Sequence, residues 1–338
     1  MNFDYSDDQQ AIKSTARDFL ASRFKLEKVR ELAEKGEYDD GLWGQIAELG
    51  WPGIFIEEAQ EGQDLGVIEL AILQEELGYA CAPTPFFSNA AAGLLVKHAG
   101  SSEQQERLLP GVATGEARGT VGIVTGGAAP LVPDADTASF VVLLENGTGR
   151  VVETAAAEVE KVDTIDSTRR FYRVSADGGD SLDGDLKAGF QRIEVALAAE
   201  LVGLAQRTLE MAVEYAKDRK QFDRPIGAYQ AVSHKCAQMM LETEGARAAT
   251  LYAAWAADHE PESLPLGASM AKAYAADAGW RVTAAALQVH GGIGFTWEHD
   301  LHWFLKRART NGALFGSARE HRDRVAELVG LARSPAAV

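Results

Sequence analysis

Hydrophobic positions in the first third of the chain recur every three or four residues, the spacing of one face of an α-helix. Such stretches follow the capping-box pattern Ser6-Asp7-Asp8-Gln9, cover Leu42–Leu49 and Val67–Tyr79, and open again at Ser102. Pro83 and Pro85 end the third stretch, because proline cannot continue a helix interior. The pattern predicts an N-terminal helical domain over residues 1–118.

From about Gly119 the pattern changes to short runs rich in β-branched residues, which are typical of strands. The predicted strands are Thr120–Thr125, Phe140–Leu144, Arg150–Glu153 and Phe171–Val174. Asn146-Gly147 suits a tight hairpin turn, since both residues tolerate positive φ. The polar, glycine-rich segment Ser175–Gly184 is predicted to be a loop. We therefore predict a small β domain over residues 119–183.

Long helical patterns return after that loop. They cover Val195–Lys217, Ala231–His259 and Leu266–His290, and the last two are rich in alanine, which lets helices approach closely. This predicts a C-terminal helical bundle over residues 184–333. The fold class is thus predicted to be mainly α with a small β domain, in the order helical domain, shortened β domain, four-helix bundle.

Composition and charge narrow the classes of function. The chain has 338 residues and a formal net charge of −17, which disfavours a nucleic-acid or anionic membrane surface. Cys81 and Cys236 lie far apart and no metal-ligand spacing is present, so we predict no metal site. The N-terminus has no signal-peptide pattern, and no apolar run approaches the ~20 residues of a membrane span. We predict a cytoplasmic protein.

Two C-terminal stretches carry the chemistry. Asp218–Gln230 reads D-R-K-Q-F-D-R-P-I-G-A-Y-Q, and Gln288–Phe295 reads Q-V-H-G-G-I-G-F. A guanidinium and glycine backbone together suit a pyrophosphate, because glycine lets the main chain approach without a Cβ. Simpler interpretations stay open. The basic cluster Lys217, Arg219, Lys220 and Arg224 could be a solvated helix end, Gly291-Gly292 a helix C-cap, and Phe222 part of a core.

In their order, these motifs resemble the acyl-CoA dehydrogenase family over nearly the whole chain. Further matches are L-W-G-Q-I-A-E-L-G-W-P-G at Leu42–Gly53, L-Q-E-E-L-G at Leu73–Gly78 and G-L-A-Q-R at Gly203–Arg207. The resemblance implies contacts to the adenosine and pyrophosphate end of an FAD that lies mostly in a neighbouring subunit. The residues implied are Arg219, Gln221, Phe222, Gln230, Gln288, Gly291 and Gly292.

The same resemblance exposes a missing catalytic base. The family usually carries a glutamate in a Y-E-G-T-like loop, and counting from Gly292 without a gap places that position at Phe315. The loop Leu314–Ser317 holds no carboxylate. Some members place the base at the start of the long C-terminal helix, and that position is Ile193. Glu194 is one residue away, a rotation of ~100° on a helix, and is the alternative candidate for the base. Its simpler role is a helix-start carboxylate.

Other family features are absent or interpreted as structural. Glu298 and His299 could transfer protons, but T-W-E-H-D is an element shared by relatives with ordinary catalytic loops. Thr120–Phe140 lacks both the T-E-P-x-x-G-S-D-like and the G-x-K-x-W-I-T-N-like motifs that hold the flavin ring in this family. The chain thus lacks the flavin-ring wall and the base together.

The resulting hypothesis is a subunit of a heteromeric α2β2 acyl-CoA dehydrogenase, similar to the paired actinobacterial enzymes that act on steroid side-chain CoA thioesters. A homologous partner would supply the glutamate and bind the acyl-CoA, FAD would be shared, and electrons would pass to an electron-transfer flavoprotein. One alternative is a self-sufficient homotetramer with Glu194 as the base. The other is an FAD-free binding or assembly protein of the same fold.

Overall fold

Helices at both ends of the chain flank a small β region, which confirms the predicted fold class. The computed structural model describes residues 4–331. Its helices are α1 (Asp7–Arg23), α2 (Leu26–Lys35), α3 (Asp40–Glu48), α4 (Val67–Ala80), α5 (Phe86–Ala99), α6 (Ser102–Thr114), α7 (Leu186–Asp218), α8 (Gln230–His259), α9 (Leu264–His290), α10 (Leu301–Ala313) and α11 (Ala318–Leu328). Its strands are β1 (Gly119–Ile123), β2 (Ala129–Pro133), β3 (Phe140–Glu145), β4 (Thr148–Glu153), β5 (Glu158–Val162), β6 (Phe171–Ser175), β7 (Asp180–Leu182), β8 (Lys220–Gln221) and β9 (Arg224–Pro225).

The N-terminal helices follow the local signals in the sequence. The Ser6 hydroxyl accepts a hydrogen bond from the Gln9 backbone N–H, and the Gln9 side-chain carbonyl accepts one from the Ser6 backbone N–H, so the predicted capping box is confirmed. Helix α5 was not predicted, although Pro85, which ends the preceding pattern, is its N-cap. Nearly every residue of α5 is buried, and a helix buried on all sides shows no apolar stripe for a sequence pattern to reveal.

Strands β1–β7 form two sheets, with orders β1-β3-β4-β7 and β2-β6-β5, and β8 and β9 form a separate two-stranded sheet. The predicted hairpin is confirmed, since Glu145 pairs with Thr148 across Asn146-Gly147, whose φ angles are 50° and 83°. Part of the predicted loop Ser175–Gly184 is instead strand β7, which pairs antiparallel with β4. The strand escaped prediction because its three residues are mostly exposed and polar.

The chain divides into two compact units, one comprising residues 31–70 and 83–193 and the other residues 4–30, 71–82 and 194–331. In the first unit, Asn89 ties α5 to its neighbours. Its Nδ2 donates to the Val112 carbonyl at 3.2 Å, and its Oδ1 accepts from the Gly119 amide at 3.0 Å. The predicted division into residues 1–118, 119–183 and 184–333 stays a prediction, and residues 1–3 and 332–333 lie outside the described part.

The second unit is organised around α7, which begins nine residues before the predicted Val195. Two glycines bring α7 and α4 together. A Cβ on Gly203 would lie 1.9 Å from the Glu75 carbonyl oxygen, and one on Gly78 would lie 2.1 Å from that of Glu200. This contact explains why G-L-A-Q-R and L-Q-E-E-L-G carry glycine inside helices, where it otherwise costs stability. No helix in residues 4–331 is long and apolar enough to cross a membrane.

Candidate functional site

The first candidate stretch forms a tight hairpin directly after α7. The Arg219 amide still donates to the Tyr215 carbonyl at 2.8 Å, and β8 then pairs with β9. Phe222 and Asp223 form the turn with φ angles of 51° and 63°, as a type I′ turn requires. The Phe222 side chain is 88% exposed, so its interpretation as core is wrong.

The second candidate stretch forms the end of α9. Gly291 terminates the helix with φ 63° and ψ −137°, a conformation that glycine alone adopts readily, so its C-cap role is observed. A Cβ on Gly292 would meet nothing within 4 Å, and its φ lies outside the left-handed range. Neither folding geometry nor internal packing therefore requires glycine at position 292. Gln288, one turn earlier, is exposed.

Two stacked rings bring these stretches together. The Tyr215 ring, one turn before Arg219, stacks on the His290 ring with centroids 4.4 Å apart. His290 Nδ1 lies 2.8 Å from the Ala286 carbonyl oxygen, which fixes the ring on α9. A shared apolar core that includes Ala212, Ala216, Ala286, Leu287 and Val289 lies behind the stack. The hairpin and the glycine turn thus lie at the same end of the bundle.

The hairpin is cationic in an otherwise acidic protein. Lys217, Arg219, Lys220 and Arg224 are all exposed, and among residues 4–331 none has a carboxylate within 4.0 Å. The Arg224 guanidinium lies 3.9 Å from the Tyr229 ring centroid. The cations also stand beside the carbonyl end of α7, where positive charge is favourable, so the helix-end interpretation accounts for part of the cluster. It does not explain the exposed backbone at Gly292, where a Cβ would meet nothing within 4 Å.

Two more predicted residues lie on or next to this hairpin. The Gln221 side-chain amide donates to the Lys220 backbone carbonyl at 2.8 Å, and the Gln221 backbone carbonyl accepts from the Tyr229 hydroxyl at 3.1 Å. Gln230 is the first residue of α8 and is exposed. All seven predicted cofactor residues therefore lie on the hairpin, at the start of α8, in the last turn of α9 or at the two glycines that follow it.

The loop Leu314–Ser317 between α10 and α11 is closed by contacts within the fold, unlike the exposed hairpin. Phe315 has φ 58°, an uncommon conformation for a bulky residue, and its side chain is buried. Its carbonyl oxygen lies 3.3 Å from His321 Nε2. A Cβ on Gly316 would lie 2.8 Å from the same nitrogen, so the imidazole closes over the loop. Burial and the nearby charge of Lys272 lower the pKa of His321 to about 4.

A buried lysine, Lys272, donates a hydrogen bond to this loop. Lys272 on α9 is fully buried, and its ammonium donates to the carbonyl oxygens of Gly312 at 3.2 Å and Gly316 at 2.9 Å. Burial lowers the pKa of Lys272 to about 8, against the opposing attraction of Glu194. Lys272 therefore links the end of α10 to the loop.

Glu194 belongs to the same buried cluster. It lies more than two turns inside α7 and is fully buried, so its expected role as a helix-start carboxylate is wrong. Its Oε1 accepts a hydrogen bond from Arg324 Nη1 at 2.7 Å. Burial raises the pKa of Glu194, while Arg324 and Lys272 act in the opposite direction. Its Oε2 is buried without a hydrogen-bond partner among residues 4–331.

Comparisons with known proteins agree with these motifs. The family profile for the acyl-CoA dehydrogenase N-terminal domain matches residues 6–116, and that for the C-terminal domain matches residues 186–330. The acyl-CoA dehydrogenase IpdE2 of Mycolicibacterium smegmatis is 31% identical over 95% of this chain and 98% of its own length. The chain belongs to the acyl-CoA dehydrogenase family.

Other relatives include a longer protein and two solved structures. The acyl-CoA dehydrogenase FadE34 of Mycobacterium tuberculosis is 33% identical over 95% of this chain, but the match spans only 47% of FadE34. A structure of the Tcur3481-Tcur3483 steroid ACAD, G363A variant, is 25% identical with a TM-score of 0.88, covering 96% of this chain and 98% of that one. The ChsE4-ChsE5 complex from Mycobacterium tuberculosis shows the same fold at 23% identity, with a TM-score of 0.89 over 99% and 100% of the two chains.

In this member of the acyl-CoA dehydrogenase family, the expected base positions hold no carboxylate. Phe315 occupies the loop position and Ile193 the helix position, and both side chains are buried. Glu298 is exposed, and its backbone carbonyl accepts from Arg30 at 2.9 Å. The His299 ring packs against His290 with centroids 4.6 Å apart, and its Nδ1 accepts from the Leu301 amide at 3.3 Å.

The segment Thr120–Phe140 folds into the core of the β region. Val132 is fully buried between the sheets, and the segment turns at Asp134, which has φ 59°. The buried Asp134 carboxylate accepts hydrogen bonds from Tyr38 and from the Ser88 hydroxyl, the latter at 2.6 Å. The one buried carboxylate of this turn is thus committed to hydrogen bonds within the domain.

We name the end of the bundle that carries the hairpin, Gln288, Gly291 and Gly292 the cofactor end, because the resemblance predicts FAD contacts there. Its residues have the chemistry that a pyrophosphate needs. Arg219 supplies a guanidinium without an ion-pair partner among the described residues, and Gly292 supplies accessible backbone. Sequence reasoning missed the Tyr215–His290 stack and the buried Lys272. The signal for Lys272 was available, since it is a single lysine among the alanines of Ala268–Ala278. Among residues 4–331 no group of three His, Cys, Asp or Glu side chains could hold a metal ion.

Proposed function

We propose that this chain is the non-catalytic subunit of a heteromeric, FAD-dependent acyl-CoA dehydrogenase. A homologous partner carries the catalytic glutamate, the flavin-ring wall and the acyl-CoA pocket. This chain contributes Arg219, Gln221, Phe222, Gln230, Gln288, Gly291 and Gly292 to the adenosine and pyrophosphate end of the partner's FAD. The observation that carries the proposal is the contrast between the open cationic end of the bundle and the closed loop around Phe315.

The closed loop argues against catalysis by this chain alone. A base for α-proton removal must reach the substrate within hydrogen-bond distance. Phe315 offers no acceptor there, and its carbonyl and that of Gly316 lie against His321 and Lys272. Glu194 is held by Arg324. A carboxylate used in this way joins α7 to α11.

The open end argues for a cofactor held between two chains. Exposed cations without ion pairs are free to bind an external anion, and the Arg219 guanidinium matches a phosphate in geometry and charge. Bound FAD would supply the acceptor for the β hydride of the acyl thioester. Because this chain would hold only the far end of the cofactor, an α2β2 assembly would contain two FAD molecules.

The relatives support pairing with a homologous chain. Two structural neighbours are named as pairs of proteins, Tcur3481-Tcur3483 and ChsE4-ChsE5. FadE34 exceeds the matched segment by about the length of a second such chain, which leaves room for a fused partner. By similarity to the steroid ACAD, we propose a steroid side-chain CoA thioester as substrate, with transfer of electrons to an electron-transfer flavoprotein in the cytoplasm.

Purification of the chain with and without its partner tests this proposal. Expressed alone, the chain should carry no FAD and should not oxidise acyl-CoA. Co-expressed with a homologous dehydrogenase from the same gene neighbourhood, it should form a complex with one FAD per pair of chains. A yellow homotetramer of this chain whose flavin is reduced by an acyl-CoA would refute the proposal.

A second candidate function is a self-sufficient homotetramer with Glu194 as base. The raised pKa of Glu194 and its unpaired Oε2 favour this candidate, since both suit a general base. It requires the Arg324 hydrogen bond to open for substrate. The homotetramer preparation distinguishes the two, because a Glu194→Gln change abolishes flavin reduction only if Glu194 is the base.

A further inference from the structure

A cleft of about 390 Å³ lies among α1, the turn into α2, α4 and α7. Its apolar wall consists of Leu20, Ala21, Phe24, Leu26 and Ala80, and its polar wall of Arg17, Lys25, Glu27, Glu76, Tyr79 and Arg207. The volume is within the ~300–1,000 Å³ of small-molecule sites. None of these residues belongs to the cofactor end of the bundle or to the cluster around Lys272.

Two guanidinium groups lie near the ring of Tyr79 in this cleft. Arg17 has an ion-pair partner, whereas Arg207 has none among the described residues. Arg17 lies 3.4 Å from the ring centroid and pairs with the Glu76 carboxylate through two nitrogens, so its charge is neutralised. Arg207 lies 5.2 Å from the same centroid. The only hydrogen bond of its guanidinium among residues 4–331 goes to the Tyr79 hydroxyl at 3.2 Å, and no described carboxylate lies within 4.0 Å of it.

The Tyr79 hydroxyl holds Arg207 in place without neutralising it. The hydroxyl accepts from Arg207 and donates to the Glu210 carboxylate. Burial and this hydrogen bond to Glu210 raise the pKa of Tyr79, so the phenol stays neutral. The guanidinium is thus half-buried and oriented, and its remaining N–H groups are available at the polar wall of the cleft.

We propose that this cleft binds a small carboxylic acid with an apolar chain. A guanidinium presents two parallel N–H groups that match the two oxygens of a carboxylate, which makes the pair bidentate. Arg207 binds the carboxylate, and the chain of the ligand packs against Leu20, Phe24 and Leu26. A ligand without the anion gains only the apolar contacts.

Isothermal titration of the full-length chain, in whatever assembly it forms, tests this site with octanoate as the probe. Octanoate should bind saturably, and octanol and octylamine should bind at least tenfold more weakly. Arg207→Met should weaken octanoate binding by roughly tenfold or more, and Arg207→Lys by less. Arg219→Met, at the cofactor end, should leave octanoate affinity unchanged.

A second variant covers the case in which Arg207→Met impairs folding. Ala80→Phe fills the cleft from α4 and leaves the Arg207, Tyr79 and Glu210 groups in place, so it should abolish octanoate binding while FAD binding persists. Octanoate that shows no saturable binding, or that binds no better than octanol, would overturn the proposal. Binding that survives both Ala80→Phe and Arg207→Met would place the probe elsewhere and would also overturn it.

Discussion

Two charged regions of the same helical bundle use their charges in opposite ways. At the end of α7, the cations of Lys217–Arg224 are exposed and lack ion-pair partners among the described residues. Around the Phe315 loop, Glu194, Lys272 and Arg324 bind one another or the loop carbonyls. Buried charges need partners within the fold, whereas exposed unpaired charges remain free to bind a ligand. On the proposed function, the region predicted to bind the cofactor is exposed, and the loop predicted to hold the base is closed by contacts within the fold.

The largest expected effect comes from removing the buried lysine. Lys272→Met should destabilise the chain by about 3–5 kcal/mol, because the Gly312 and Gly316 carbonyls lose their donor and Glu194 loses a nearby positive charge. Urea unfolding followed by circular dichroism measures this. Lys220→Met, on the exposed hairpin, is the matched control and should change the free energy of unfolding by less than about 0.5 kcal/mol. Equal effects of the two variants would show that the loop cluster is not structural.

At the cofactor end the expected effect is on FAD rather than on folding. Arg219→Ala in the assembled complex should weaken FAD binding by roughly tenfold or more, because the pyrophosphate loses a charge-assisted hydrogen bond. Flavin absorbance after dialysis reports the loss. Arg23→Ala, an exposed arginine at the end of α1, is the control and should keep full flavin content. Unchanged flavin content in Arg219→Ala would favour the FAD-free binding protein.

The pH dependence of stability should also report on Lys272. Its pKa falls from 10.5 to about 8 in the folded chain, so between these values the unfolded chain binds more protons at this residue than the folded chain. Stability should therefore rise with pH from about 8 to 10.5 relative to Lys272→Met. Urea titrations of both proteins across this range measure the difference. A difference that stays constant or shrinks with pH would contradict the assigned environment.

The smallest effect on folding is expected at Gly292. Because a Cβ there would meet nothing within 4 Å, Gly292→Ala should change stability by less than about 1 kcal/mol while lowering FAD affinity in the complex. Gly203→Ala is the contrasting control, since its Cβ would lie 1.9 Å from the Glu75 carbonyl oxygen. It should destabilise the bundle strongly. Parallel thermal melts and flavin titrations separate the two kinds of glycine.

Sequence patterns predicted the features that depend on local signals. The Ser6 capping box, the Asn146-Gly147 hairpin and the long C-terminal helices arise from residues that are neighbours in the chain, and the structure confirms them. The sequence patterns did not predict strand β7, because it is short and polar, or helix α5, because it is buried on every side. Local patterns cannot reveal an element whose stability comes from distant partners.

The residues of the candidate site were predicted from the sequence, but the contacts that bring them together were not. The cofactor residues followed from a family resemblance, and their roles remain predictions. The stack of Tyr215 on His290, which brings the two motifs together, joins residues 75 positions apart through tertiary packing. Likewise, the cluster of Glu194, Lys272 and Arg324 draws on three separate helices. No spacing rule in a single sequence indicates such a cluster.

The most direct test of the central claim is the source of the base in the assembled complex. Anaerobic stopped-flow reduction of the flavin by an acyl-CoA substrate should be compared for the unmodified complex, for Glu194→Gln in this chain, and for a glutamate-to-glutamine change at the partner's base. We predict that Glu194→Gln keeps the rate within about twofold and that the partner variant loses about 10²-fold or more. Loss of reduction in Glu194→Gln, with reduction retained in the partner variant, would contradict the assignment of this chain as the non-catalytic subunit.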